Sequence, residues 1–241
     1  MSLDAMTHAR LDRRTVLAGG AAGVGLALAG ATVTAPPAAA GSQLLRRGDR
    51  GSGVLALQRS MNRLGYWCGR ADGVFGHLTQ QAVWAVQKAG GVARDGVVGP
   101  VTRGVLDRGV VPRPAHPHGR HIEVDLSRQL LLEVRYGRTR TVLNTSTGHG
   151  GYYWWNGRRH RAYTPTGWFR VYWTYSAGWQ YGPLGALYRP QYFYKGWAVH
   201  GSGSIPPWPA SHGCCRVSTG AMNRLWATGA MRDGRRVIIT R

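Results

Sequence analysis

With 241 residues the chain has room for one or two domains, and 43% hydrophobic residues place it among globular proteins. Its 36 Gly and 10 Trp favour a loop-rich β architecture over a helical bundle. A net charge of +21, from 31 Lys+Arg against 10 Asp+Glu, implies a polyanionic setting: nucleic acid, anionic lipid or an anionic cell wall. No helix-turn-helix pattern, finger spacing or RNA-binding aromatic motif supports the first, and the positive residues are scattered, not gathered in a tail.

Residues 1–40 read as an export signal, outside the fold. Arg13-Arg14-Thr15-Val16-Leu17 holds a twin-arginine pair, an apolar run follows from Ala18, and Ala38-Ala39-Ala40 offers small residues for cleavage before Gly41. The run is short and rich in Gly and Ala for a membrane span. The expectation is an exported protein with no stable span after cleavage, by the twin-arginine route; an uncleaved anchor is the alternative.

Residues 42–109 contain an internal repeat. Asp72-Gly73-Val74-Phe75-Gly76-His77-Leu78-Thr79 returns 23 positions later as Asp95-Gly96-Val97-Val98-Gly99-Pro100-Val101-Thr102. In each copy Asp-Gly sets a tight turn and the second Gly leads into a helix, with Pro100 at a first helical position. Val54, Leu57, Met61 and Leu64 sit at helical spacing before Gly65, and Ala82, Val83, Val86 and then Val105, Leu106 give two further apolar stripes. The reading is three short helices around a small core. With Leu45-Arg46-Arg47-Gly48-Asp49 and Leu57-Gln58, the segment resembles the three-helix peptidoglycan-binding domain. Residues 110–119, with Pro112, Pro114 and Pro117, read as an extended linker whose His116 and His118 are solvent-exposed.

From His121 the apolar period becomes two. Ile122, Val124 and Leu126 alternate with polar residues, and Gly137 marks a hairpin between Leu130–Val134 and Thr141–Leu143. Trp168–Trp173, Trp197–Val199 and Arg236–Ile239 read as further strands, and a short helix is expected between Ser218 or Thr219 and Gly229. Residues 148–167 read as an aromatic and basic loop. Its Trp154 and Trp155, together with Trp208 further on, are candidates for substrate contact, with a lid packed on the sheet as the alternative.

The stretch from His200 to Arg216 gathers two imidazoles, two thiols and a guanidinium. A neighbouring imidazole or cation moves a thiol toward the nucleophilic thiolate, and Ser-His-Gly-Cys places Gly213 where backbone amides can turn toward an oxyanion. Cys214 and Cys215 as small buried hydrophobes is the competing reading. Zinc lacks the usual C-x(2–4)-C spacing here, so no metal or other cofactor is expected.

His-Gly, a short loop, then Ser-His-Gly-Cys-x-Arg resembles the signature of the L,D-transpeptidase catalytic domain, a family of peptidoglycan cysteine acyltransferases. Thr164-Pro165-Thr166-Gly167 and Tyr194–His200 extend the likeness. The resemblance implies two domains, a small all-α three-helix peptidoglycan-binding module (42–109) followed by a mainly antiparallel β-sandwich catalytic domain (120–241). It implies Cys214 as nucleophile, His200 as base and the Gly201 carbonyl orienting that imidazole. Ser211, His212 and Gly213 would support the oxyanion, and Arg216 the loop or a substrate carboxylate. The implied reaction forms a thioester with a donor stem peptide, expels its terminal D-alanine and transfers the acyl group to an acceptor amine as a 3→3 cross-link. An L,D-carboxypeptidase and a non-catalytic wall-binding protein are the alternatives. Peptidoglycan stem peptides and glycan, and anionic wall polymers, are the expected partners of a monomer. Two departures stand out: the loop from Ser202 to Ala210 is short for the family, and Cys215 occupies a usually aliphatic position.

Overall fold

The computed structural model describes residues 44–241; the expected export signal lies outside them. Three helices come first: α1 (Ser52–Arg63), α2 (His77–Gly90) and α3 (Pro100–Asp107). Their buried faces are the expected stripes, with Val54, Leu57, Met61, Ala82, Val83, Val86, Val105 and Leu106 in one core. Pro100 stands in the first turn of α3, where its missing N–H removes no helical bond, and Gly91 closes α2 in the left-handed conformation. The sequence repeat is also a hydrogen-bonding repeat. Gln58 Nε2 donates to Asp72 Oδ1 (2.9 Å), Val74 O (3.0 Å) and Thr79 Oγ1 (3.0 Å). Gln87 does the same with Asp95 Oδ1 (2.6 Å), Val97 O (3.0 Å) and Thr102 Oγ1 (3.2 Å). Each Asp-Gly turn is thus fastened by a buried glutamine of the preceding helix, a structural role for Gln58.

The rest is mostly strand. One sheet runs in the order β3 (Arg138–Asn144), β2 (Leu130–Arg135), β1 (Arg120–Asp125), β12 (Arg236–Thr240), β6 (Gly167–Arg170). The other runs β11 (Cys215–Ser218), β10 (Trp197–Ser202), β9 (Gly185–Tyr194), β7 (Trp173–Thr174), with β8 (Trp179–Gly182) also on β9. Pairing is mainly antiparallel, with β1–β12 and β10–β11 parallel. Helix α4 (Thr219–Ala227) follows β11, with Ser218 Oγ accepting its Ala221 N–H (3.1 Å) as N-cap.

Helices and sandwich share a core. In β2, Leu130, Leu132 and Val134 join the helical cluster, whereas Leu131 between them joins the inter-sheet cluster. Val142 and Leu143 of β3 divide in the same way. Leu130-Leu131-Leu132 is therefore a strand covered on both faces, which is why it breaks the alternation expected of a half-exposed sheet. The Val142 N–H also donates to Gly65 O at 2.8 Å.

Three local expectations change. The Trp168–Trp173 segment is two strands, because Val171 N–H bonds Arg235 O in one sheet while Tyr172 N–H bonds Tyr192 O in the other; the chain switches sheets at a sandwich corner. The 148–167 segment carries a hairpin, β4 (Tyr152–Trp155) with β5 (Arg158–Arg161), turned by Asn156 and Gly157 at φ 48° and 68°. That Asn-Gly pair is a strong type I′ signal that the aromatic run obscured. His116 is half-buried, its ring 4.7 Å from that of Trp168 and its N–H held by Glu123 Oε2 at 3.1 Å.

Candidate active site

Strand register decides which thiol faces the cavity. In the parallel pair β10–β11, Val199 lies opposite Cys215 and His200 opposite Arg216. Residues opposite one another share a face, so Val199 and Cys215 enter the inter-sheet core and His200 and Arg216 point the other way. Cys214, one step before Cys215, comes out on the side of His200 and Arg216. All three line a cavity of about 570 Å³. Cys215 is fully buried and burial drives its thiol pKa far up. It is a small hydrophobe.

His200 is 5% exposed, and its Nδ1 lies 2.9 Å from the Gly201 carbonyl. That acceptor fixes the Nδ1–H tautomer and leaves the Nε2 lone pair unprotonated. Burial pulls the imidazole pKa down to about 4; the Gly201 carbonyl opposes this and the Arg216 charge adds to it. Cys214 is half-buried, with Sγ 3.6 Å from Gly196 O. Burial raises its pKa, against the Ala198 backbone and Arg216, which both favour thiolate. At neutral pH the resting pair is therefore neutral thiol and neutral imidazole.

The segment before Cys214 is fixed from several sides. Ser211 Oγ accepts the Gly213 N–H (2.9 Å) and donates to Cys214 O (2.6 Å). Gly213 has φ +152°, and a Cβ there would stand 2.5 Å from Trp197 Nε1 and 2.7 Å from Tyr163 O; only glycine fits. Since its N–H is engaged by Ser211, Gly213 contributes shape here in place of the amide donor expected of it. Thr164, in the Thr-Pro-Thr-Gly stretch, donates through Oγ1 to Gly213 O at 2.6 Å and accepts Gly148 N–H at 3.0 Å. His212 is half-buried, its ring centroid 4.6 Å from Tyr153 and 6.2 Å from His149. Burial lowers its pKa, followed by the charges of Arg216 and His149.

The proposed aromatic contacts divide. Trp155 lines the cavity with Tyr153 and His160. Trp154 does not: it is 73% exposed and, as the neighbour of two inward residues on β4, faces outward. Trp208 is also outside the cavity, 60% exposed, with its carbonyl accepting Ser146 Oγ at 2.7 Å. Reading the hairpin as loop concealed the alternation that separates Tyr153 and Trp155 from Tyr152 and Trp154. Leu184 to Leu187 and Trp197 complete the wall. Leu184 to Leu187 belong to β9 and its approach, which gave no clear sequence signal because Pro190 interrupts the strand, whereas Trp197 opens the expected strand β10.

The loop between His200 and Cys214 is held from the helical module. Gln81 of α2 reaches Ile205 O (3.4 Å), and Asn144 Nδ2 donates to both Gln81 Oε1 (2.6 Å) and Ile205 O (3.0 Å). Arg94 Nη1 donates to Pro207 O at 3.0 Å. Lys88, 2% exposed, donates to Gln129 O (2.8 Å), Thr145 O (3.0 Å) and Asn144 Oδ1. Burial, with Arg94 nearby, lowers its pKa to about 6. No group of three or more metal-ligating side chains occurs among the described residues.

These features coincide with a family. The L,D-transpeptidase catalytic domain model matches residues 119–239, and the peptidoglycan binding domain model matches residues 50–106. The chain belongs to the L,D-transpeptidase catalytic-domain family and carries a peptidoglycan-binding domain before it. A crystal structure of the L,D-transpeptidase from Xylanimonas cellulosilytica is 49% identical, with TM-score 0.79, covering 85% of this chain and 100% of that one. The N-acetylmuramoyl-L-alanine amidase CwlL of Bacillus licheniformis is 42% identical over 65 residues, 26% of this chain and 18% of the amidase. The chain thus spans under a fifth of that relative's length. An uncharacterized protein in the bpoA1 3′ region of Kitasatospora aureofaciens is 38% identical over 95 residues, 36% of this chain and 80% of the relative.

Proposed function

We propose that the protein is a peptidoglycan L,D-transpeptidase with Cys214 as nucleophile and His200 as base. The observation that carries this is the convergence of a tautomer-fixed His200 and the outward thiol Cys214 on one cavity, with Cys215 directed into the core. Because the resting pair is neutral, the thiol proton moves to His200 Nε2 as Sγ attacks the donor carbonyl, and no standing thiolate is required. The amides of His212 and Cys214 are the candidate oxyanion donors; each such donor contributes about 3 kcal/mol in comparable sites. The tetrahedral intermediate collapses with the S–C bond kept and the C–N bond to D-alanine broken, His200 returning the proton to the leaving amine. An acceptor amine then attacks the thioester, its nitrogen bonds to the carbonyl carbon, and Cys214 leaves as thiol. Arg216, facing the cavity beside His200, suits a substrate carboxylate or the supporting charge for Cys214. Function on the wall requires export, which the twin-arginine segment would provide.

The test is product analysis after incubation with a disaccharide tetrapeptide from peptidoglycan. Expected is a dimer whose mass shows the loss of one D-alanine, absent with Cys214→Ala. Tripeptide alone would replace the transpeptidase reading with carboxypeptidase, and unchanged substrate would leave wall binding.

A further inference from the structure

A row of arginines crosses the first sheet away from the active-site cavity. Arg120 of β1 lies directly opposite Arg135 of β2, which lies directly opposite Arg138 of β3. Like charges in that position repel and weaken strand pairing. Arg235, just ahead of β12, joins them: burial first, then Arg232, Arg120 and Arg135, pull its pKa below the usual arginine range, with only Glu133 opposing. Glu133 is the single carboxylate among the residues lining this region. It is already occupied by Arg135 Nη2 at 2.6 Å, Thr141 Oγ1 at 2.8 Å and, more distantly, Arg224 Nη2 at 3.9 Å.

The crowd surrounds space. A cavity of about 70 Å³ is lined by Arg120, His121, Glu133, Arg135, Arg235 and the turn at Thr228–Ala230. A second, of about 420 Å³, shares Arg120, Glu133 and Arg135 with it and adds Tyr136, Arg140 and Arg224. Neither shares a residue with the active-site cavity. Buried donors in these walls lack acceptors. Nε of Arg235 and Nε of Arg224 have no hydrogen-bond partner. His121 is 1% exposed, its Nδ1 is unpartnered, and its Nε2 stands 3.7 Å from Glu123, beyond hydrogen-bond length. Opposed cations and orphaned buried donors are each costly. An oxyanion in the smaller cavity would offset the facing charges of Arg120 and Arg135 and offer Arg235 Nε an acceptor.

We propose that this arginine cavity is an anion site that takes a phosphate group of a phosphodiester polymer of the cell wall. Guanidinium groups approaching from three elements suit the several oxygens of a tetrahedral phosphate better than a planar carboxylate, which one fork satisfies. The smaller cavity has room for a single phosphate group, and the larger one continues from shared residues toward the next unit of a chain. The net charge of +21 draws such a polymer in. The proposal depends on the transpeptidase reading only for the wall as the source of the polymer.

The experiment is calorimetric titration of the full-length protein with a glycerol phosphate oligomer at about 0.1 M NaCl, where diffuse attraction is partly screened. Arg120→Gln with Arg235→Gln should weaken binding by about tenfold or more, while Arg46→Gln with Arg113→Gln, removing the same charge elsewhere, should change it by less than about twofold. Inorganic phosphate should compete with the oligomer and raise the Tm of the wild type but not of the Arg120/Arg235 variant. Equal weakening in both double variants would overturn the proposal, as would equal affinity for polyglutamate or tighter binding of a DNA oligonucleotide of matched charge. If the double variant loses its fold, the exposed Arg120→Gln alone carries the comparison. Acylation of Cys214 is measured in the same variants, so loss of the anion site and loss of the catalytic reading give separate signals.

Discussion

At the scale of single residues, the site is governed by where two neighbouring side chains point. Cys214 and Cys215 are chemically alike, and the period of β11 alone sends one to the cavity and the other to the core. His200 then gives a pH signature. Its unfolded form takes up a proton near pH 6.5, whereas the folded form does so only near pH 4. The unfolded state therefore binds more protons in that window, and stability falls as pH drops from about 6.5 to about 4, by roughly 3 kcal/mol, then levels off. Urea unfolding of the wild type and His200→Gln across that range should show the variant losing about that much less; parallel curves would contradict a buried neutral imidazole. The candidate site residues Cys214, His200, Ser211, Gly213 and Arg216, which line one cavity, were legible because the motif carries them in order. Thr164 belongs to the Thr-Pro-Thr-Gly stretch of the motif, but its grip on the Gly213 carbonyl is a contact across 49 residues of sequence and leaves no local signal. Trp154 and Trp208 were misplaced for a simpler reason: aromatic character does not reveal which face of a strand a residue occupies.

At the scale of elements, the loop from Ser202 to Ala210 is short, yet it is tied at Ile205 and Pro207 to a helical module that precedes it by more than a hundred residues. Gln81→Ala and Arg94→Ala each remove contacts worth about 1 kcal/mol, so each should slow acylation of Cys214 by roughly fivefold with little change in Tm. Lys88→Met takes the ammonium donor from Asn144 Oδ1 and Thr145 O, Gln129 O keeping the Thr145 N–H, and should cost about 2–4 kcal/mol of stability in urea titration as well as slowing acylation. Unchanged acylation in all three variants would show that the loop holds its shape without the module. The helices, the Asp-Gly turns, the β2–β3 hairpin and α4 were legible from periodicity and punctuation. The sheet switch at Val171–Tyr172 and the short β8 were not, because partner strands far away in sequence decide both.

At the scale of the whole molecule, the helical core includes Leu130, Leu132, Val134 and Val142 from the first sheet. The two parts cannot separate without exposing those side chains, so the described region should unfold in one calorimetric transition with equal calorimetric and van't Hoff enthalpies; two resolved transitions would contradict the shared core. Sequence reading divided the chain at its proline-rich segment and left the relation of the parts open, since a strand covered on both faces and an ordinary buried strand have the same leucine run. The docking brings α2 against the loop that separates His200 from Cys214, and the catalytic account rests on that assembled cavity. Its most direct test is the intact mass of the protein after incubation with a carbapenem, with Cys214→Ala and Cys215→Ala in parallel. The account predicts one covalent adduct on the wild type and on Cys215→Ala, and none on Cys214→Ala. An adduct abolished by Cys215→Ala, or no adduct on folded, reduced wild-type protein, would contradict it.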